Sequence, residues 1–283
     1  MLFARDKSQM CNNLLQFAHV YAWGREHSRK VVSMRFSYKY KDYFKIHNTD
    51  LVSFPLYLFA KYAAALHILP TASFKRRDCD HAALEQMMLR HRHIVVSGWF
   101  VRFYDLFEKY KSEICDLFTV NEKYAAPVRQ RMAECESATQ NKDSILRLGV
   151  HIRRGDYKDW ADGRYYYDDN VYAAHIAKFA TIFPDRECHV YLSSNDPAIR
   201  AESFIPSSGE ANVSIHLLRG NAIEDLYMLS QCDYIIGPPS TYSLVASMYR
   251  DVPFYRMDKK DVELFRLESF NTFNYWFRRI NEL

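Results

Sequence analysis

The chain has 283 residues, enough for two domains of ordinary size with a core in each. Hydrophobic residues make up 48% and charged residues 25%, a globular balance, while an aromatic share of 16% suits either sugar handling or dense core packing. A formal charge of +4 falls far short of a nucleic-acid footprint, and six cysteines without a CxxC pair argue for a reduced, cytoplasmic chain and against structural zinc.

Residues 2–4 read as a short strand. A helix then runs from near Cys11 to about His27, with Leu14, Phe17, Ala18, Tyr21 and Ala22 spaced along one buried face. Val31 to Phe36 reads as the next strand. This strand–loop–helix–strand opening has the form of a Rossmann-like half, yet it lacks GxGxxG, so a nicotinamide or flavin cofactor has no support. The first residues hold no apolar run of the kind a signal peptide needs.

Residues 51–70 are largely apolar but are interrupted by Pro55, Lys61 and His67. Tyr57, Phe59, Tyr62 and Leu66 therefore belong to a helix that is buried or leans on a membrane, rather than to a span. Lys75, Arg76 and Arg77 form the densest basic run and read as a solvated loop. A helix over Ala82–Arg90, a strand from His93 to Phe100 and a helix over 103–118 follow. His91 and His93 lack a third ligand nearby and read as a strand end in solvent. Residues 119–143, polar and interrupted by Pro127, are expected to connect two domains.

The second half alternates strand and helix. Strands are expected at 145–152, His189–Leu192, Ser214–Leu218 and Tyr234–Ile236. Helices are expected at 171–180, Ile223–Ser230 and from Ser240 or Thr241 to Tyr249, with a last amphipathic helix over 259–281 that can pack back on the first domain. Regular alternation of this kind favours parallel sheets with right-handed crossovers.

One stretch concentrates the chemistry. Leu146, Leu148, Val150 and Ile152 alternate as a half-buried strand, so His151 and Arg153 share the other face, and Arg154 and Asp156 lie at the turn beyond, eased by Gly155. Two guanidiniums at the carboxyl end of a strand suit a phosphate or carboxylate. The plainer alternative is a pair of surface arginines matched with Asp156 and Asp159. At the helix beginning near Ser240 and Thr241, hydroxyls and first-turn N–H groups offer a second anion-binding element, or plain capping.

The heptapeptide His151 to Tyr157 resembles the His-x-Arg-Arg-x-Asp signature of the α1,2-/α1,6-/protein O-fucosyltransferase superfamily, with the closest likeness to its bacterial α1,2 family. Further blocks resemble that family in order. They are Gln9 to Ala18, Ser97 to Phe100 with Phe107, Tyr110 and Ile114 after it, Glu224 to Cys232, and Ser240 to Ser243. The resemblance implies an α/β, GT-B-like fold of two Rossmann-like domains facing across a cleft. Residues 1–140 would form the acceptor side and 141–283 the GDP-sugar-binding side. It implies metal-independent, inverting transfer of L-fucose from GDP-fucose to a glycan hydroxyl, α1,2 to galactose, with no cofactor beyond the donor.

By position, Arg153 would contact the diphosphate, His151 the guanine or ribose, and Asp225 the guanine. Ser240 and Thr241 would hold phosphate, Asn12 would approach from the other domain, and Asp196 joins the candidate donor contacts. Asp156, Asp159 and Asp162 are the candidates for the base, with Asp156 alternatively a partner for arginine. The sequence departs from the family at Gln9 and Cys11, which replace glycines, and at Leu244 and Val245, which replace tryptophans. The segment Lys158–Tyr167, with Trp160, reads as an acceptor or lid loop or as aromatic packing. Another deoxysugar donor, a protein acceptor and a non-catalytic nucleotide- or glycan-binding protein are the alternatives. The expected setting is the cytoplasm, or the inner membrane surface if the 51–70 helix leans on it. The oligomeric state is left open.

Overall fold

The structure is a computed structural model that describes residues 1–5, 8–40, 42–206, 212–262 and 265–280. Two compact units divide it, Met1–Asn121 and Glu122–Leu283.

In the first unit, β1 (Leu2–Arg5) leads through α1 (Met10–Glu26) to β2 (Val31–Ser33). Next come α2 (Phe54–Ala65), β3 (Thr71–Ser73), α3 (His81–Arg90), β4 (Ile94–Ser97), α4 (Tyr104–Lys109) and α5 (Lys111–Leu117). The sheet order is β2-β1-β4-β3, and every pairing is parallel. Helix α1 is buried well beyond the expected stripe, since Asn13, Gln16, His19 and Trp23 are inside as well. It lies against both the sheet and α4, so little of its circumference meets water. The strand expected from Val31 to Phe36 stops at Ser33, whose hydroxyl accepts the Phe36 N–H at 3.1 Å and turns the chain. The helix expected over 103–118 breaks at Tyr110 into two short ones.

In the second unit, α6 (Glu122–Cys135) precedes β5 (Ile145–Ile152), α7 (Asp169–Ile182), β6 (Glu187–Ser194) and β7 (Val213–His216). Then come α8 (Ala222–Ser230), β8 (Tyr234–Gly237), α9 (Thr241–Met248), β9 (Phe254–Arg256) and α10 (Phe273–Arg278). The sheet order β7-β6-β5-β8-β9 is again wholly parallel and puts β5 at the centre. Leu146, Leu148, Val150 and Ile152 enter a core with Ile176, Phe179, Val190, Leu192 and Ile236.

Two expectations change here. Residues 122–135 are a helix of the second unit rather than a polar connection, so the division falls at 121/122 and not at 140/141. Ala125, Val128 and Met132 form a narrow buried stripe, and Arg129 donates to the Tyr227 hydroxyl on α8 at 2.9 Å. The long helix expected over 259–281 is reduced to α10, and residues 263–264 and 281 of that stretch lie outside the described residues. Phe265 and Phe270 instead thread into the core beside Tyr255, with ring centroids 4.7 and 5.7 Å away. Helix α10 is fastened to β9 by the Trp276 indole N–H, 2.7 Å from the Phe254 carbonyl.

Candidate functional site

Parallel pairing sets the site's register. His151 on β5 stands beside Ser193 on β6, so both side chains leave the same face near the strands' carboxyl ends. The His151 ring is buried, with Nδ1 2.7 Å from the Ser243 hydroxyl and the ring centroid 5.0 Å from that of Tyr242. Burial, then the charge of Arg153, pushes its pKa down to about 3, so the imidazole is neutral at any working pH. Gly237 permits this packing. A Cβ there would sit 3.0 Å from the His151 Cβ and 3.1 Å from the Ser243 hydroxyl.

The two arginines diverge. Arg154 turns inward, where its guanidinium donates to the Tyr167 carbonyl and pairs with Asp169. Its backbone is clamped by Asn195, which accepts the Arg154 N–H at 2.8 Å and donates to the Arg154 carbonyl at 3.2 Å. Arg154 is therefore a structural residue, and the expected pair of anion-binding guanidiniums reduces to Arg153. The Arg153 side chain, 25% exposed, lies over the Tyr157 ring at 5.6 Å and pairs with Asp156 at 2.8 Å. Asp156 is 62% exposed in its side chain, so a bound anion can take its place at a cost of about 1 kcal/mol or less. Gly155, at φ +61°, supplies the left-handed turn between them. Asp159 and Asp162 are exposed on the following loop, where Ala161 and Asp162 also adopt positive φ.

Asp225 occupies the first turn of α8, next to the Asn221 and Glu224 capping box. It borders a cavity of about 240 Å³ at the carboxyl ends of β6 and β7, lined also by Asn195, Asp196, Pro197, Leu217 and Arg219. Burial raises its pKa to about 7, against hydrogen bonds from the Ser193 hydroxyl at 3.1 Å and the Gly220 N–H. A Cβ at Gly220 would come within 2.7 Å of Asp225 Oδ1, so only glycine leaves the carboxyl its place. Asp196 closes a tight turn, accepting the Ala198 N–H at 2.8 Å.

On the other side of β5, Ser240 caps α9 by accepting the Tyr242 N–H at 3.2 Å, and Thr241 is the first residue of that helix. The Tyr157 hydroxyl donates to the Pro239 carbonyl, and burial pushes its pKa up to about 12. His151, Arg153, Asp196, Asp225, Ser240 and Thr241 thus gather at the carboxyl edge of one sheet. Asn12 lies in the first unit, in the first turn of α1, with Nδ2 3.0 Å from the Ser8 hydroxyl. Ser193, Ser243, Asn195 and Gly220 are contributors that sequence reading missed. The run Ser193-Ser194-Asn195-Asp196 at a strand end was the available signal. Among the described residues no cluster of three or more His, Cys, Asp or Glu side chains could hold a metal.

Two wholly parallel sheets, with polar residues gathered at strand carboxyl ends, make an α/β fold of the GT-B kind. No known sequence-family profile matches the chain, and no curated protein matches it. Solved structures do. A mutant of Arabidopsis thaliana FUT1 in complex with GDP superposes with a TM-score of 0.61 at 14% identity, over 96% of this chain and 72% of that one. The fucosyltransferase NodZ from Bradyrhizobium gives 0.52 at 14% identity, over 91% and 95%. POFUT1 in complex with GDP gives 0.52 at 13% identity, over 88% and 94%. At these identities the likeness establishes the fold, and it singles out no one branch of these enzymes.

Proposed function

We propose that the protein is a glycosyltransferase that moves L-fucose from GDP-fucose to a hydroxyl of a glycan acceptor, α1,2 to galactose, with inversion and without a metal ion. The observation that carries this is the arrangement at the carboxyl edge of the second sheet. The Arg153 guanidinium, a neutral histidine and a half-buried carboxyl beside a base-sized cavity share a fold with fucosyltransferases solved with GDP.

The donor's chemistry fits that edge. Guanine enters the cavity with its N–H donors toward Asp225, the ribose lies near His151 and Asp196, and the diphosphate meets Arg153 and the start of α9 at Ser240 and Thr241. As the fucose–phosphate bond breaks, negative charge builds on the leaving diphosphate and positive charge on the sugar. Arg153, once released from Asp156, stabilises the first, a contribution of about 3 kcal/mol for one well-placed donor. The acceptor hydroxyl loses its proton to a base on the opposite face of the sugar. Asp156 is better suited to holding Arg153 ready than to that role. Asp159, Asp162 and Trp160 stand on the loop we assign to the acceptor.

Incubation with GDP-fucose and a set of β-galactosides, followed by detection of free GDP and a fucosylated product, tests the proposal. Release of neither sinks it. A second reading, a nucleotide-binding protein without turnover, is favoured by Gln9 and Cys11, which stand where the motif this stretch resembles has glycines. It requires GDP affinity without transfer or hydrolysis.

A further inference from the structure

Five of the ten large hydrophobic side chains exposed among the described residues fall within fifteen consecutive positions of the first unit. They are Phe54, Phe59, Tyr62, Leu66 and Ile68, the last two being 70% and 69% exposed. Helix α2 is apolar on every side. Ala60 and Ala63 face the core of Phe3, Val32 and Val95, while the outward face carries Phe54, Phe59 and Tyr62. Lys61 is its only charged residue among twelve, and the Lys61 amine lies over the Tyr62 and Tyr57 rings at 5.4 and 6.0 Å. A helix on the outside of a sheet normally turns charges to water. Contiguous apolar surface of this kind marks a contact site.

The surroundings identify the contact. Thr71 on β3 pairs with Val95 on β4, so Ile68 and Arg92, each three residues earlier, stand at the same edge of the sheet. Leu89, Arg90, His91, Arg92 and His93 are all exposed along it. Arg29 is fixed to the same rim by its guanidinium, which donates to the Met88, His91 and Arg92 carbonyls. Among the described residues no carboxylate pairs with Arg29, Arg90 or Arg92. The His93 pKa is lowered, first by burial and then by neighbouring positive charges that include Arg92 and Arg29. The mild net charge of the whole chain also conceals an asymmetry. Residues 1–121 hold 18 Lys and Arg against 11 Asp and Glu, whereas residues 122–283 hold 20 against 23. A second copy meeting this face would bring like charges together.

We propose that the outer face of α2, with the turn through Leu66 and Ile68, lies on the surface of an anionic phospholipid bilayer. Phe59, Tyr62, Leu66 and Ile68 enter the interfacial layer, and Arg90, Arg92 and Lys61 meet the headgroups. No helix of the described residues is long and apolar enough to cross a membrane, so this contact is peripheral.

Flotation of the full chain with vesicles tests the proposal. Vesicles of phosphatidylcholine containing one part in three of phosphatidylglycerol should carry the protein, and pure phosphatidylcholine vesicles should carry about tenfold less. Binding should fall again in 0.5 M salt, where the screening length drops to about 4 Å. Arg90→Glu with Arg92→Glu should weaken it at least about tenfold, as should Phe59→Ser with Leu66→Ser. Tyr62→Trp keeps the surface apolar, and its indole emission should shift to the blue on anionic vesicles alone. The proposal is overturned by equal binding to both vesicles, by no indole shift, or by a dimer in sedimentation that Phe59→Ser with Leu66→Ser dissolves.

Discussion

Asp225 gives the proposed donor site a quantitative signature. Burial holds its carboxyl near a pKa of 7. A base edge that presents N–H donors needs the ionised form, so binding below pH 7 must first release a proton. That costs about 1.4 kcal/mol, or tenfold in Kd, for each further pH unit. GDP-fucose is the suitable ligand, because both its phosphates are esterified and neither ionises near neutrality. His151, held at about 3, contributes nothing across this range. Calorimetric Kd values from pH 5.5 to 8.5 should be flat above about pH 7.5 and weaken about tenfold per unit below about pH 6.5. Asp225→Asn should flatten the profile and weaken binding by roughly 10- to 100-fold, the loss of one charge-assisted hydrogen bond at ~1.5–3 kcal/mol.

The unliganded protein carries the complementary signature. A carboxyl whose folded pKa is raised contributes stability that is fully present below its unfolded pKa, near 4. That contribution is lost as pH rises through 7, by up to ~4 kcal/mol across the window. Asp225→Asn should therefore raise Tm at pH 8 and leave it unchanged at pH 4. A pH-independent wild-type affinity, or an Asp225→Asn variant that binds as well as wild type, would refute the reasoning.

Arg153→Ala should cut transfer by ~10²–10³ while Tm stays close to wild type, because its ion pair with Asp156 is exposed; matched kinetics and melting curves check both halves. Asp169→Ala should act in the opposite way. It leaves the buried Arg154 guanidinium without its counter-ion and should cost ~3–5 kcal/mol in urea unfolding. Gly237→Ala pushes a methyl group against His151 and Ser243, and should lower stability by ~1–3 kcal/mol and nucleotide affinity together, measured by melting with and without GDP.

Strand β5 and its charged exit were legible because a period-two pattern ran straight into a dense polar run. The same pattern suggested a pair of anion-binding guanidiniums, of which Arg154 turns inward. What it could not show was the destination of Arg154, since Asp169 and the Tyr167 carbonyl reach it only after the chain has folded back. Helix α6 escaped notice because its inward stripe is only Ala125, Val128 and Met132, in an otherwise polar segment. Strands β3 and β9 are three residues each, too short for a period to register. The helix expected over 259–281 is confined to α10, since Phe265 and Phe270 before it plug the core from non-helical chain. Asp225 is a candidate by resemblance alone, because the burial that raises its carboxyl pKa, against hydrogen bonds from Ser193 and Gly220, exists only in the folded chain.

The central claim is that a fucose-bearing diphosphate docks at the carboxyl edge of the second sheet. A crystal soaked with GDP-fucose tests it most directly. The expected density has guanine against Asp225 and a phosphate beside the Arg153 guanidinium, with Asp156 displaced from it. An intact Arg153–Asp156 pair with the nucleotide elsewhere, or no nucleotide at saturating concentration, would contradict it.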